Sequence, residues 1–187
     1  MLTINCFLPA DVYTAGYRVV GKVMVSTNGL MGVMNDVTKS HLEIHDARLA
    51  RIHMPTKLVD HFEIVRLVKA QVFLLCAARR EDLGPSAIVR GGYSQTAEVP
   101  ARLTTSTYDI EGKLEVAGRF DFVSMISDKT RNFIPLFDAT LTAILIPNLK
   151  VEILPAVFCR GCPAESDMAA LEKLADAIAE RHARLGA

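Results

Sequence analysis

Two cysteines three positions apart, Cys159 and Cys162, form the first group in this chain whose types and spacing suit chemistry. A Cys-x-x-Cys can depress a thiol pKa or supply half of a zinc site. A redox dithiol opens a helix, whereas this pair follows a strand-like run and ends at Pro163. Zinc would need two further ligands, with Cys6 and Cys76 as the remaining thiols. The expected state is one buried strand cysteine and one loop cysteine, without metal or cofactor. His41, Glu43 and His45 alternate and so share one face of a strand; with His53 or His61 they form a second metal-capable set. Asp36, Asp46, Asp128 and Asp138 are carboxylates of the kind that act in pairs as general acid and base. The stretch from Asn28 to Gly32 is glycine-rich but lacks the Gly-Lys-Ser/Thr ending of a phosphate cradle, so it reads as a flexible turn. No Ser-His-Asp or Cys-His nucleophile set is recognisable, and the chain reads as non-enzymatic.

An internal repeat decides among these readings. Tyr17-Arg-Val-Val-Gly21-Lys22-Val23 matches Tyr108-Asp-Ile-Glu-Gly112-Lys113-Leu114 at an offset of 91. From Asn35 onward the offset is 92. Asp36, Thr38, Asp46, Ala47, Leu49, Ile52, Pro55 and Val59 all recur, eight identities in 25 positions, where roughly one or two arise by chance. The slip falls in the loop between Val25 and Asn35, where insertions are tolerated. Aspartates recurring in both copies point to turn and capping duties rather than catalysis. His41, Glu43 and His45 correspond to Phe133, Pro135 and Phe137, so one face is solvated in one copy and covered in the other.

The elements that must position these residues are strands. Tyr17 to Val25 is β-branched and broken by Gly21, the mark of a bulge or bend that small barrels need; Gly112 takes the same place. Polar turns follow, with Asn35 and Ser127 as capping residues. Long strands come next, His41 to Ile52 and Phe133 to Ile146, ended by Pro55 and Pro147. Leu58 to Leu67 with Ala70 to Ala77, and Leu149 to Leu154 with Ala156 to Cys159, read as closing strands. Thr3 to Leu8 and Val99 to Thr105 read as opening ones. The expected fold is all-β: two tandem small SH3-like barrels related by internal duplication, with a C-terminal helix. The first barrel covers 1–78, a linker 79–97, the second barrel 98–163 and an amphipathic helix 164–187. Met168, Leu171, Leu174, Ile178 and Leu185 form that helix's apolar stripe.

A glycine-bent strand with Gly-Lys, a loop, an Asn-Asp turn and a strand carrying Asp-Ala resembles the first Sm motif. The counterparts are Gly21, Asn35, Asp36, Leu42, Ile44 and Asp46, then Gly112, Asp128, Ile134, Leu136 and Asp138. Phe133-Ile-Pro-Leu-Phe-Asp-Ala139 is similar to a strand typical of an uncharacterised bacterial family of Sm-like domains. The Sm resemblance implies RNA binding through the loop Asn and Asp with an Arg-Gly or Lys-Gly of a second motif. Asn35, Asp36, Asp128, Arg90 and Arg160 are the residues it designates here. Arg160-Gly161 runs at once into Cys162-Pro163, and Arg90-Gly91 lies in the linker; RNA binding is therefore the alternative, and a metal or redox role of Cys159 and Cys162 another.

Sheet edges that must be covered or paired point to a binding or assembly module. Lys plus Arg equals Asp plus Glu, 21 each, and half the residues are hydrophobic, which argues against bulk electrostatic attraction to nucleic acid or anionic membranes. No run approaches the ~20 apolar residues of a membrane span, and the N-terminal residues lack the pattern of a signal peptide. The expectation is a cytoplasmic protein with reduced thiols that forms a homo-oligomer through its sheet edges or its C-terminal helix.

Overall fold

The computed structural model describes residues 5–87, 96–105, 107–117, 132–144 and 146–159. It contains nine strands in one antiparallel sheet. These are β1 (Cys6–Thr14), β2 (Tyr17–Val25), β3 (His41–Arg51), β4 (Leu58–Val68), β5 (Val72–Ala77), β6 (Thr96–Thr104), β7 (Tyr108–Ala117), β8 (Phe133–Ala143) and β9 (Ile146–Cys159). A short helix, α1 (Gly29–Asn35), links β2 to β3. The strand order is β4-β3-β2-β1-β5-β9-β8-β7-β6. The expected pair of separate barrels thus becomes a continuous sheet that does not close on itself, joined where β5 pairs with both β1 and β9.

The sequence offsets recur in the pairing. Tyr17 lies opposite Arg51 and Tyr108 opposite Ala143. Ala10 faces Gly21 and Ala101 faces Gly112. The β2–β3 register breaks between Val20 and Lys22, and the β7–β8 register between Glu111 and Lys113. Asp46 and Asp138 both have positive φ, 50° and 48°, a strained conformation for a residue with a Cβ. The glycine beside each break has a physical reason. A Cβ on Gly21 would stand 2.7 Å from the His45 carbonyl oxygen, and one on Gly112 would stand 2.8 Å from Leu136 Cγ. The turn before the second strand of each half is also shared: Thr14 Oγ1 bonds to the Tyr17 main chain and Thr105 Oγ1 to that of Tyr108.

The opening strands begin three residues from where the sequence suggests and run through Pro9 and Pro100. Proline removes a ladder donor, so it sits where no strand pairs with that side. β5 pairs with β1 only from Ala10, beyond Pro9, and β6 is an edge strand. The same reasoning explains β9. The sequence splits it at Pro155, but the strand is continuous, and β5 pairs with Ala156 to Phe158 only. The glycine-rich stretch expected as a turn is α1. Its first residue, Gly29, has φ 65° and packs on Gly84, whose φ is 88°; a Cβ on Gly84 would stand 2.1 Å from the Asn28 carbonyl oxygen. Asn35 closes the helix rather than opening it.

Two cores share β5. Val72, Leu75 and Ala77 join Val12, Val19, Leu30, Met34 and Ile44 on one side. Phe73, Leu74 and Cys76 join Tyr108, Ile110, Leu136 and Ile153 on the other. Every residue of β5 is buried, as its unbroken apolar run Val-Phe-Leu-Leu-Cys-Ala requires. The cores also interpenetrate: Phe133, Phe137 and Val157 belong to the first and Tyr13 to the second.

Candidate interaction surface

Asn35, designated by the Sm resemblance for nucleotide binding, holds the two halves together. Its side-chain amide donates to the Phe133 carbonyl at 3.0 Å, and its carbonyl accepts from Phe133 N–H at 2.9 Å. This pair of bonds imitates one rung of a β-ladder. Asp36 Oδ1 accepts from the Thr38 backbone at 3.0 Å and from its hydroxyl at 2.6 Å. Those bonds pull the Asp36 carboxyl below its ordinary pKa and form the turn that releases the chain into β3. Lys69 is 7% exposed, and its ammonium donates to the carbonyls of Val33 at 2.6 Å and Asp36 at 2.8 Å. It caps the C-terminal end of α1, where the dipole favours a cation. Desolvation by burial lowers its pKa while Asp36 opposes the shift. No local pattern marks Lys69, a lone lysine between two strands.

A hollow of 390 Å³ opens beside this cluster, lined by Met34, Lys39, Lys69, Phe133 and Cys159 among others. A second, of 680 Å³, lies on the other flank of α1, against Ser26, Asn28, Met31 and Ser86. Arg90, Asp128, Arg160 and Cys162 lie outside the described residues, as does the expected helix over 164–187. Cys159 is half-buried and Cys76 fully buried, and burial pushes the Cys76 thiol up. On β3, Glu43 is engaged by Arg66 at 2.8 Å, and His45 meets the Phe7 ring edge-on at 4.9 Å. Among the described residues no three His, Cys, Asp or Glu side chains are placed to hold a metal ion. Asp46 bonds His61 at 2.7 Å and lies 3.9 Å from Lys22; Asp138 likewise meets Lys113 at 3.2 Å.

The feature that stands out is β4. It ends the sheet, and among the described residues no strand pairs with its outer edge. Phe62 lies opposite Ala47 on β3, as Ile153 on β9 lies opposite Ala139 on β8. Phe62 is 44% exposed, Ile153 6%. Ile64 faces His45 and is 46% exposed, whereas Pro155, facing Phe137, is buried. Leu58, Val59 and Val68 are exposed as well. The difference is β5, which lies on the outer edge of β9 and has no counterpart on β4 among the described residues. The other end of the sheet is different in kind. β6 carries Pro100, and its exposed positions include Glu98, paired with Lys113 at 3.0 Å, and Arg102, paired with Asp109 at 2.9 Å. Proline and charge blunt an edge; a long apolar edge invites a further strand.

Comparison with known protein families, curated proteins and solved structures finds no match to this chain. No helix among the described residues is long and apolar enough to cross a membrane.

Proposed function

We propose that this chain is a non-enzymatic assembly module, built from a duplicated Sm-like strand pattern, that works by accepting a strand on the outer edge of β4. The duplication is supported by the matched registers, the matched register breaks and the matched positive-φ aspartates of the two halves. An ion pair adds to this. Asp11 and Arg18 meet at 2.6 Å, and the positions 91 residues on are Arg102 and Asp109, which meet at 2.9 Å with the charges exchanged. The pairing persists while each residue type has changed sides.

The observation that carries the function is the unequal burial of two equivalent strands. β9 takes β5 on its outer edge and its apolar residues are covered; β4 presents the same strand positions with nothing described upon them. An antiparallel strand opposite Val65 to Leu67 would occupy the place that β5 has opposite Ala156 to Phe158. Main-chain hydrogen bonds would supply affinity and the alternating apolar side chains selectivity, as in recognition by strand addition generally.

Hydrogen exchange across 58–68 tests this in the full chain, alone and with a lysine-flanked peptide copying residues 72–77. The outer-edge amides of β4 are expected to be slow, either already in the protein alone or once the peptide is added. A Phe62→Lys/Ile64→Lys variant is expected to restore fast exchange. Outer amides that stay fast under both conditions overturn the reading.

A further inference from the structure

Which strand occupies β4 follows from the parity of the sheet, and this inference rests on the strand-accepting reading above. The nine strands of the described residues, each antiparallel to its neighbours, leave the two end strands β4 and β6 running in the same direction. Continuing the sheet head to tail, β4 of one copy against β6 of the next, would therefore create a parallel pair in an otherwise antiparallel sheet. Turning one copy over to make that pair antiparallel would set opposite faces of the two sheets level. Pro100 would also leave a gap in the new ladder. A twofold axis perpendicular to the sheet has none of these defects. It brings β4 against β4 of a second copy, antiparallel and with like faces aligned.

We propose that two copies of this chain associate about such an axis, β4 on β4, into one sheet of two joined molecules. The side-chain pattern of β4 suits this. A twofold strand pair places some residue opposite its own copy. With the axis anywhere from Phe62 to Ile64, the exposed Phe62 and Ile64 of both copies meet at the centre. With the axis at Phe62 or Ile64, Glu63 lies opposite His61 or Val65 of the other copy rather than opposite its own copy, and Arg66 keeps its partner Glu43 within the chain. Leu58 and Val68, both exposed, occupy the two ends of the strand and come together in the same way. Cross-strand apolar pairs stabilise a sheet, and a closed twofold contact stops at two copies.

Light scattering coupled to size exclusion on the full chain gives the test, with oxidative crosslinking of an Ile64→Cys variant beside it. The expected results are twice the chain mass, a disulfide-linked dimer formed by Ile64→Cys well beyond the native-cysteine background, and a shift to a single chain mass in Phe62→Lys/Ile64→Lys. Met24→Lys, an exposed change on β2, is expected to leave the dimer intact. Circular dichroism of the double variant confirms that it folds. A monomeric wild type, a dimer indifferent to the β4 charges, or larger species lost on Arg102→Pro in β6 would each overturn the twofold pairing. If the wild type is monomeric but the peptide still slows β4 exchange, this inference falls and the strand-accepting reading stands. If deleting residues 160–187 is what exposes the β4 amides to exchange, the chain's own C-terminal segment is the occupant, and the dimer proposal fails.

Discussion

Asn35 and Lys69 do by side chain what the sheet does by backbone. Asn35 supplies a donor and an acceptor to Phe133 at the boundary between the two halves, so Asn35→Ala leaves two part-buried main-chain groups short of partners. The expected loss is about 1–3 kcal/mol, read as a lower urea midpoint; Asn35→Asp, which keeps the acceptor and loses the donor, is expected to fall between. A wild-type midpoint in Asn35→Ala would refute the clamp. Lys69 makes a separate prediction through pH. Burial holds its folded pKa below the 10.5 of a free lysine, so between those two values the unfolded chain binds more protons than the folded one. The stability contributed by this residue therefore rises with pH across that window. Lys69→Met is expected to flatten that rise in urea melts taken at increasing alkaline pH, and to lower stability at neutral pH because the Val33 and Asp36 carbonyls lose their donor.

At the scale of elements, α1 and the segment after β5 meet backbone to backbone, Gly84 against Asn28 and Gly29. Arg80–Leu83 is a 3-10 turn whose Leu83 is buried, and Gly84 follows against Asn28 and Gly29. Gly84→Ala combines a positive φ with a contact that no Cβ tolerates, and is expected to cost about 1–3 kcal/mol from strain alone, with added loss of amide protection in α1. Gly16→Ala, which has open space around it, is the control and is expected to be nearly neutral. This junction explains what was legible in the sequence and what was not. Strand positions, the Gly21 and Gly112 bends and the two-copy register could be read because each rests on local residue types repeated at a fixed offset. The helix α1 could not: Gly29 and Gly32 are poor helix formers, and Gly29 packs on Gly84, some fifty residues away. The extents of β1 and β9 escape the local pattern because Pro9 and Pro155 interrupt it without ending the strand; each marks only a side on which the strand goes unpaired. Asn35 was noticed for its type and place in a motif, but its partner Phe133 is 98 residues distant, beyond any local pattern.

For the whole molecule, the shared strand sets the cooperativity. A chain of two independent barrels would unfold in two steps, each half keeping its own core. Here β5 faces one core through Leu75 and the other through Leu74, and Tyr13, Phe73 and Tyr108 pack edge-on and tilted across the boundary at ring separations of 5.7–6.3 Å. Arg80 extends the coupling by lying over Phe137 at 4.2 Å while pairing with Glu115. Neither half retains a complete core without β5, so the described structure is expected to unfold as one unit. Leu74→Ala truncates a side chain that belongs to the second core and is expected to cost about 2–5 kcal/mol. The informative readout is where that loss is felt. Hydrogen exchange under mildly denaturing conditions should show β3, which lies in the first half and in the other core, losing protection by as much as β8. A Leu74→Ala variant in which β8 opens while β3 keeps its wild-type protection would mean that the halves are thermodynamically separate and that β5 merely touches the second core.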